Sequence, residues 1–199
     1  MKPGAALLCA LLAQPAVAHD THQPASPPPA AAGRALPLPL GGPFRLTDQH
    51  GNTRTEVDPE GRLQLLFFGY AACESICTVA LPQMAGLAQR LRARGIAIRP
   101  IMITVDPERD SGAVMARVLD ALDPDFLGLT GSTEALAASW RNFAVESAVV
   151  FTDPAGQPVY AHGSLLYLLD GEGKFLTLIP PVLSDNRAEE IIAGYAPQG

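Results

Sequence analysis

Leu63-Gln64-Leu65-Leu66-Phe67-Phe68-Gly69-Tyr70-Ala71-Ala72-Cys73-Glu74-Ser75-Ile76-Cys77 is the stretch on which the fold turns. Leu63 to Gly69 is an almost unbroken apolar run of strand length, the pattern of a strand covered on both faces. Gly69 and Tyr70 then read as a loop leaving the sheet. From Thr78 to Arg94, Val79, Met84, Leu87 and Leu91 recur at roughly helical spacing, and Gly95 ends the helix. Pro82 is acceptable near the start of that helix but would kink one that began at Cys73.

Working outward, Ile96 to Val105 is a second buried strand. Asp110 to Leu122 reads as a helix, Phe126 to Leu129 as a short strand, and Ser132 as the cap of a helix reaching about Phe143. Upstream, Phe44 to Asn52 alternates and then turns, which suggests a hairpin arm. Downstream, Leu165 to Leu169 and Phe175 to Ile179 flank Asp170-Gly171-Glu172-Gly173, a hairpin signal, and Asn186 caps a last helix through Ile192. Alternating strands and helices followed by a hairpin and a helix predict a three-layer α/β domain with a mixed sheet.

Composition narrows the function. The chain has 199 residues, 48% of them hydrophobic, and a formal net charge of -6. No run of Lys or Arg is present, which argues against nucleic acid and anionic membrane surfaces. Residues 1–18 have the form of a secretory signal: Lys2, an apolar core from Ala5 to Ala13, and the small-x-small site Ala16-Val17-Ala18. Cleavage there removes Cys9, leaves His19 first, and gives an exported protein with no stable membrane span. Residues 19–40, rich in Pro and Ala, read as a semi-extended linker, and 41–199 as the folded domain.

Two thiols then remain, Cys73 and Cys77. On a helical register they lie on one face, about 5–6 Å apart at Cβ. A helix N-terminus favours the thiolate, the form that attacks disulfides and ligates metal. The pair is therefore a redox couple, a soft-metal grip, or a structural disulfide. A metal needs a third ligand. Of the four histidines (His19, His22, His50, His162) His162 is best placed, just before a strand, where its loop can reach the sheet end that bears the cysteines. Two thiolates and an imidazole suit Cu(I), or a strained Cu(II), better than Mg or Ca. Asp106 to Asp110 has two readings: a turn with Asp110 as helix N-cap, or a segment that brings Asp106 near the sulfurs at the ligand-binding edge of the sheet.

Several motifs in order resemble the Sco/SenC family, thioredoxin-like copper proteins of the periplasm and the mitochondrial intermembrane space. They are Phe68-Gly69-Tyr70, the C-x-x-x-C of Cys73 and Cys77, Val105-Asp106-Pro107-Glu108-Arg109-Asp110, Leu127-Gly128-Leu129-Thr130-Gly131-Ser132, and His162 followed by Ser164 and Tyr167-Leu168-Leu169-Asp170. The resemblance runs from about Phe44 to Tyr195. It implies a thioredoxin-like α/β/α domain with an inserted hairpin and an extra helix. It implies that Cys73, Cys77 and His162 are copper ligands, for Cu(I), Cu(II) or both. It implies delivery of copper to the dinuclear centre of cytochrome c oxidase or another cuproenzyme, with a thioredoxin-like reductant or another copper chaperone as further partners. The chain departs from the family pattern at Thr78, where Pro usually follows the second cysteine, and at Ala161, where an acidic residue usually precedes the histidine.

The expectation is thus a soluble periplasmic metallochaperone rather than an enzyme. The rival is a thiol–disulfide oxidoreductase that keeps the cysteines of such a copper site reduced, with Cys73 and Cys77 as its redox pair. Dedicated exchange enzymes of this fold use C-x-x-C, and exchange has no need of His162.

Overall fold

The computed structural model describes residues 33–71 and 77–197. The apolar run is the strand β3 (Leu63–Gly69), buried at every position. Before it stand β1 (Arg45–Asp48) and β2 (Thr53–Thr55); after it come α1 (Cys77–Ala93), β4 (Ile98–Thr104), α2 (Gly112–Leu119), β5 (Leu127–Thr130) and α3 (Thr133–Asn142). The chain continues through β6 (Ala148–Thr152), β7 (Pro158–Ala161), β8 (Leu166–Leu169), β9 (Phe175–Ile179) and α4 (Asp185–Ala193).

Seven strands form one sheet in the order β2-β1-β5-β4-β3-β8-β9. β3, β4 and β5 are parallel and carry buried, mostly apolar runs; β1, β2, β8 and β9 are antiparallel at the flanks. The mixed sheet is as expected, because only strands with helical crossovers between them can run parallel. Successive side chains of β3 point to opposite faces. Phe68 meets Phe143, at the end of α3, and Tyr167 of β8, with centroids 5.3 and 5.6 Å away. Gly69, one residue on, faces Cys77 of α1 instead. Helices therefore cover both faces.

α1 lies between its neighbours: Gln89 donates to the Leu122 carbonyl beyond α2, and Arg90 pairs with Asp185 and Glu189 of α4. Its buried stripe includes Ala80, Leu81, Met84, Leu87, Ala88 and Leu91; Met84, Leu87 and Leu91 lie on it as the spacing predicts, whereas Val79, read as part of the same stripe, is exposed. α2 sits so close to β5 that a Cβ on Gly128 would stand 2.6 Å from Leu119 Cδ1. A side chain there would force Leu119 to shift.

Two local expectations are corrected. The helix expected over Asp110–Leu122 is shorter, and its N-cap is Ser111, whose Oγ accepts from Val114 N. Asp110 is unavailable because its carboxylate is engaged elsewhere in the fold. The last helix has Ser184, not Asn186, at its N-cap position, without a side-chain capping bond. The two-stranded sheet β6–β7, joined antiparallel around Asp153–Gly156, was not located by patterning. Ser132, by contrast, caps α3 as expected, accepting from Ala135 N. Segment 33–42 runs along the body: Gly33 N donates to Gly194 O, Leu36 N to Leu176 O and Gly41 N to Asn142 O. Among the described residues no helix is long and apolar enough to cross a membrane.

Candidate metal centre

Two elements converge at the C-terminal end of β3. The first is the start of α1, which begins at Cys77 itself. The second is the loop between β7 and β8. The antiparallel register of β3 with β8 pairs Leu66 with Tyr167 and Gln64 with Leu169. Continued past the end of β8, that register carries His162 to the level of residue 71, just beyond β3. The strand pairing delivers the imidazole to the end of the sheet where the cysteine segment begins.

Cys77 Sγ stands 3.7 Å from His162 Nε2, and the two residues are 2% and 6% exposed. Gly69 makes room for the sulfur, since a Cβ there would lie 3.1 Å from Cys77 Sγ and 2.7 Å from the Phe67 ring. Beside the sulfur an open, mainly apolar cavity of about 180 Å³ is lined by Ala71, Cys77, Thr78, Leu81, Pro82, Val118 and Leu122.

The imidazole is walled by two rings, Phe67 and Tyr70, each edge-on with centroids 5.6 Å away. Its Nδ1 is buried and has no hydrogen-bond partner among the described residues. The residue before it is Ala161, so no carboxylate at that position is present to accept from Nδ1. Nε2 is thus the nitrogen turned toward sulfur. The contact is compatible with a weak S–H···N hydrogen bond. It is also compatible with shared ligation. First-row metal bonds of about 2.3 Å to sulfur and about 2.0 Å to nitrogen, as in zinc sites, place the two donors about 3.5–3.8 Å apart at trigonal or tetrahedral angles.

The loop beneath is fastened by a polar group. Asp110, 1% exposed, accepts from Ala71 N through both oxygens at 3.0 and 3.1 Å and from Thr104 Oγ at 2.7 Å. Burial pushes its carboxyl from the usual 3.8 up to about 6, against the pull of those two donors. Asp106, also buried, is held by Arg109. Arg109 donates in addition to the Pro158 carbonyl at 2.7 Å and lies over the Tyr70 ring at 5.3 Å.

Of the residues expected in the site, Cys77 and His162 are brought together. Cys73 lies outside the described residues, as do His19 and His22. His50 is elsewhere, 3.7 Å from Asp120 on an exposed surface. No group of three His, Cys, Asp or Glu side chains converges as a metal site among the described residues. Sequence reasoning missed the anchoring role of Asp110 and the contacts of Arg109 and Tyr70. It did not place the β6–β7 hairpin, although Asp153-Pro154-Ala155-Gly156 between two apolar stretches is a turn signal.

The mixed sheet flanked by helices is thioredoxin-like, as in the solved Sco structures, and a buried thiol and imidazole meet at its strand-to-helix junction. The SCO1/SenC family model matches residues 33–197, and the chain belongs to that family. It is 35% identical over 150 residues to "Protein SCO1, mitochondrial" of Saccharomyces cerevisiae, covering 74% of this chain and 51% of that one. It is 37% identical over 136 residues to "Protein SCO2 homolog, mitochondrial" of Mus musculus, covering 67% and 53%. The chain thus spans about half the length of these relatives. Among solved structures, yeast Sco1 superposes with a TM-score of 0.70 at 30% identity, over 78% of this chain and 96% of that one. Bradyrhizobium japonicum ScoI, solved with copper bound, superposes with a TM-score of 0.69 at 30% identity, over 78% and 99%.

Proposed function

We propose that this protein is a copper-binding assembly factor that holds copper through Cys73, Cys77 and His162. It delivers the metal to the dinuclear copper centre of cytochrome c oxidase or to a related cuproenzyme. The observation that carries this reading is the approach of Cys77 Sγ to His162 Nε2, 3.7 Å apart in a buried setting. The copper-bound relatives of the same fold support it.

Copper is cargo here. Two thiolates hold Cu(I), and the imidazole adds the nitrogen donor that Cu(II) favours. Binding releases the thiol protons. Among the described residues Nδ1 has no partner that would raise the basicity of the ring. The aromatic walls exclude water from the nitrogen side. Among the described residues, the cavity beside Cys77 offers an approach to the sulfur. In this account residues 1–18 are a cleaved export signal, 19–40 a linker whose last residues, from Gly33, lie along the body, and 41–199 the periplasmic domain.

The test is assembly in cells. A strain lacking this protein should make oxidase deficient in its dinuclear copper, restored by the wild-type gene and not by Cys77→Ser or His162→Ala. Full rescue by His162→Ala, with loss in Cys77→Ser, would favour the thiol–disulfide reductase instead.

A further inference from the structure

The β6–β7 hairpin, whose second strand ends one residue before His162, is poorly attached to the body. Its strands pair only with each other, and β6 is exposed along its whole length. Among the described residues a single hydrogen bond joins these strands to the rest of the chain: Arg109 Nη2 to the Pro158 carbonyl, 2.7 Å. The same guanidinium pairs through Nε with buried Asp106 and lies 5.3 Å from the Tyr70 ring centroid. Tyr70 stands edge-on to His162 and to Tyr160 of the hairpin, at 5.6 and 5.7 Å. One planar fork therefore touches the loop after β4, the loop after β3 and the strand that leads to the imidazole. Lysine has a single nitrogen and no fork with which to meet two acceptors in fixed directions.

We infer that Arg109 is a positioning residue for the metal centre: by tying Pro158, Tyr70 and Asp106 together it sets where His162 stands relative to Cys77. This rests on the proposed ligand role of His162. It predicts that Arg109 governs the copper state that needs the imidazole, Cu(II), and leaves thiolate-held Cu(I) alone.

The experiment compares Arg109→Lys and Arg109→Ala with His162→Ala and with the double variant R109A/H162A. Cu(II) affinity and the thiolate-to-Cu(II) absorption band are measured, along with Cu(I) affinity by competition with a chromophoric Cu(I) chelator. Ring-proton NMR lines of His162 are recorded in the metal-free protein. Arg109→Ala should weaken Cu(II) by about 10–100-fold, the range for supporting residues around a ligand, with Cu(I) unchanged. Arg109→Lys should lose part of that, and the His162 lines should broaden or double in both. In the His162→Ala background, removing Arg109 should cost nothing further. Equal loss of Cu(I) and Cu(II), or a full Arg109 effect persisting without His162, would overturn the inference while leaving the ligand assignment intact. Unchanged Cu(II) binding in His162→Ala would overturn the ligand assignment, and the role of Arg109 with it. If Arg109→Ala does not fold, Arg109→Lys decides: wild-type Cu(II) affinity and sharp His162 lines would refute the positioning role.

Discussion

Asp110 is a buried carboxylate with two donors and, among the described residues, no ion-pair partner, which makes the pH dependence of stability a direct probe of the loop at Ala71. Its folded pKa is about 6 against an ordinary 3.8, with burial as the main cause. A raised carboxyl pKa means that the folded state prefers the proton. The contribution to stability is complete below pH about 4 and is lost as pH rises through about 6. A shift of about two units corresponds to roughly 3 kcal/mol. Asp110→Asn keeps the shape and an oxygen for Ala71 N but cannot ionise. It costs about 1 kcal/mol if the Thr104 hydrogen bond is imperfectly replaced. That cost is independent of pH, so the difference in stability between variant and wild type should swing in favour of Asn by about 3 kcal/mol between pH 4 and pH 8. For a domain of this size the swing is about 6–12 °C in Tm. Urea unfolding of the reduced, metal-free proteins at several pH values measures it. Parallel pH profiles would refute the account of Asp110 as a buried, proton-preferring anchor of the loop at Ala71.

Gly69→Ala should lower stability by about 1–3 kcal/mol, the usual cost of overpacking, because the new methyl meets the Phe67 ring and Cys77 Sγ; the urea midpoint reports the first and a weakened thiolate–Cu(II) band reports the displaced sulfur. His162→Ala should lose Cu(II) while largely keeping Cu(I), read by parallel titrations; equal loss of both ions would count against the imidazole as a copper ligand. Oxidation of Cys73 and Cys77 to a disulfide consumes both thiolates, so oxidised protein should take up no copper until reduced. Thiol counting before and after loading checks this, and full loading of oxidised protein would point to another site.

Much of the fold was legible because its centre is a buried parallel sheet. β3 and β4 are buried along their lengths and mostly apolar, and α1 repeats its apolar residues at helical spacing. Caps were less so. Asp110 and Ser111 are both good N-cap residues, and the choice between them is made by Ala71 and Thr104, which are distant in the chain or across a turn. The β6–β7 hairpin escaped because Val149, Val150 and Phe151 are apolar yet more than half exposed, so burial periodicity gave no guide. In the site, Cys77 and His162 announced themselves as soft ligands. Arg109 did not: as one charge in an Asp-Pro-Glu-Arg-Asp turn, it gains meaning only when the hairpin brings the Pro158 carbonyl within 2.7 Å.

Copper titration of the reduced chain beginning at His19, followed by its electronic spectrum, tests the central claim most directly. Wild type should bind one copper, and the Cu(II) form should show an intense thiolate-to-copper band in the visible that disappears in both Cys73→Ser and Cys77→Ser. Retention of the band and of one-to-one binding in either variant would contradict the assignment of that cysteine, and with it the metal centre proposed for this fold.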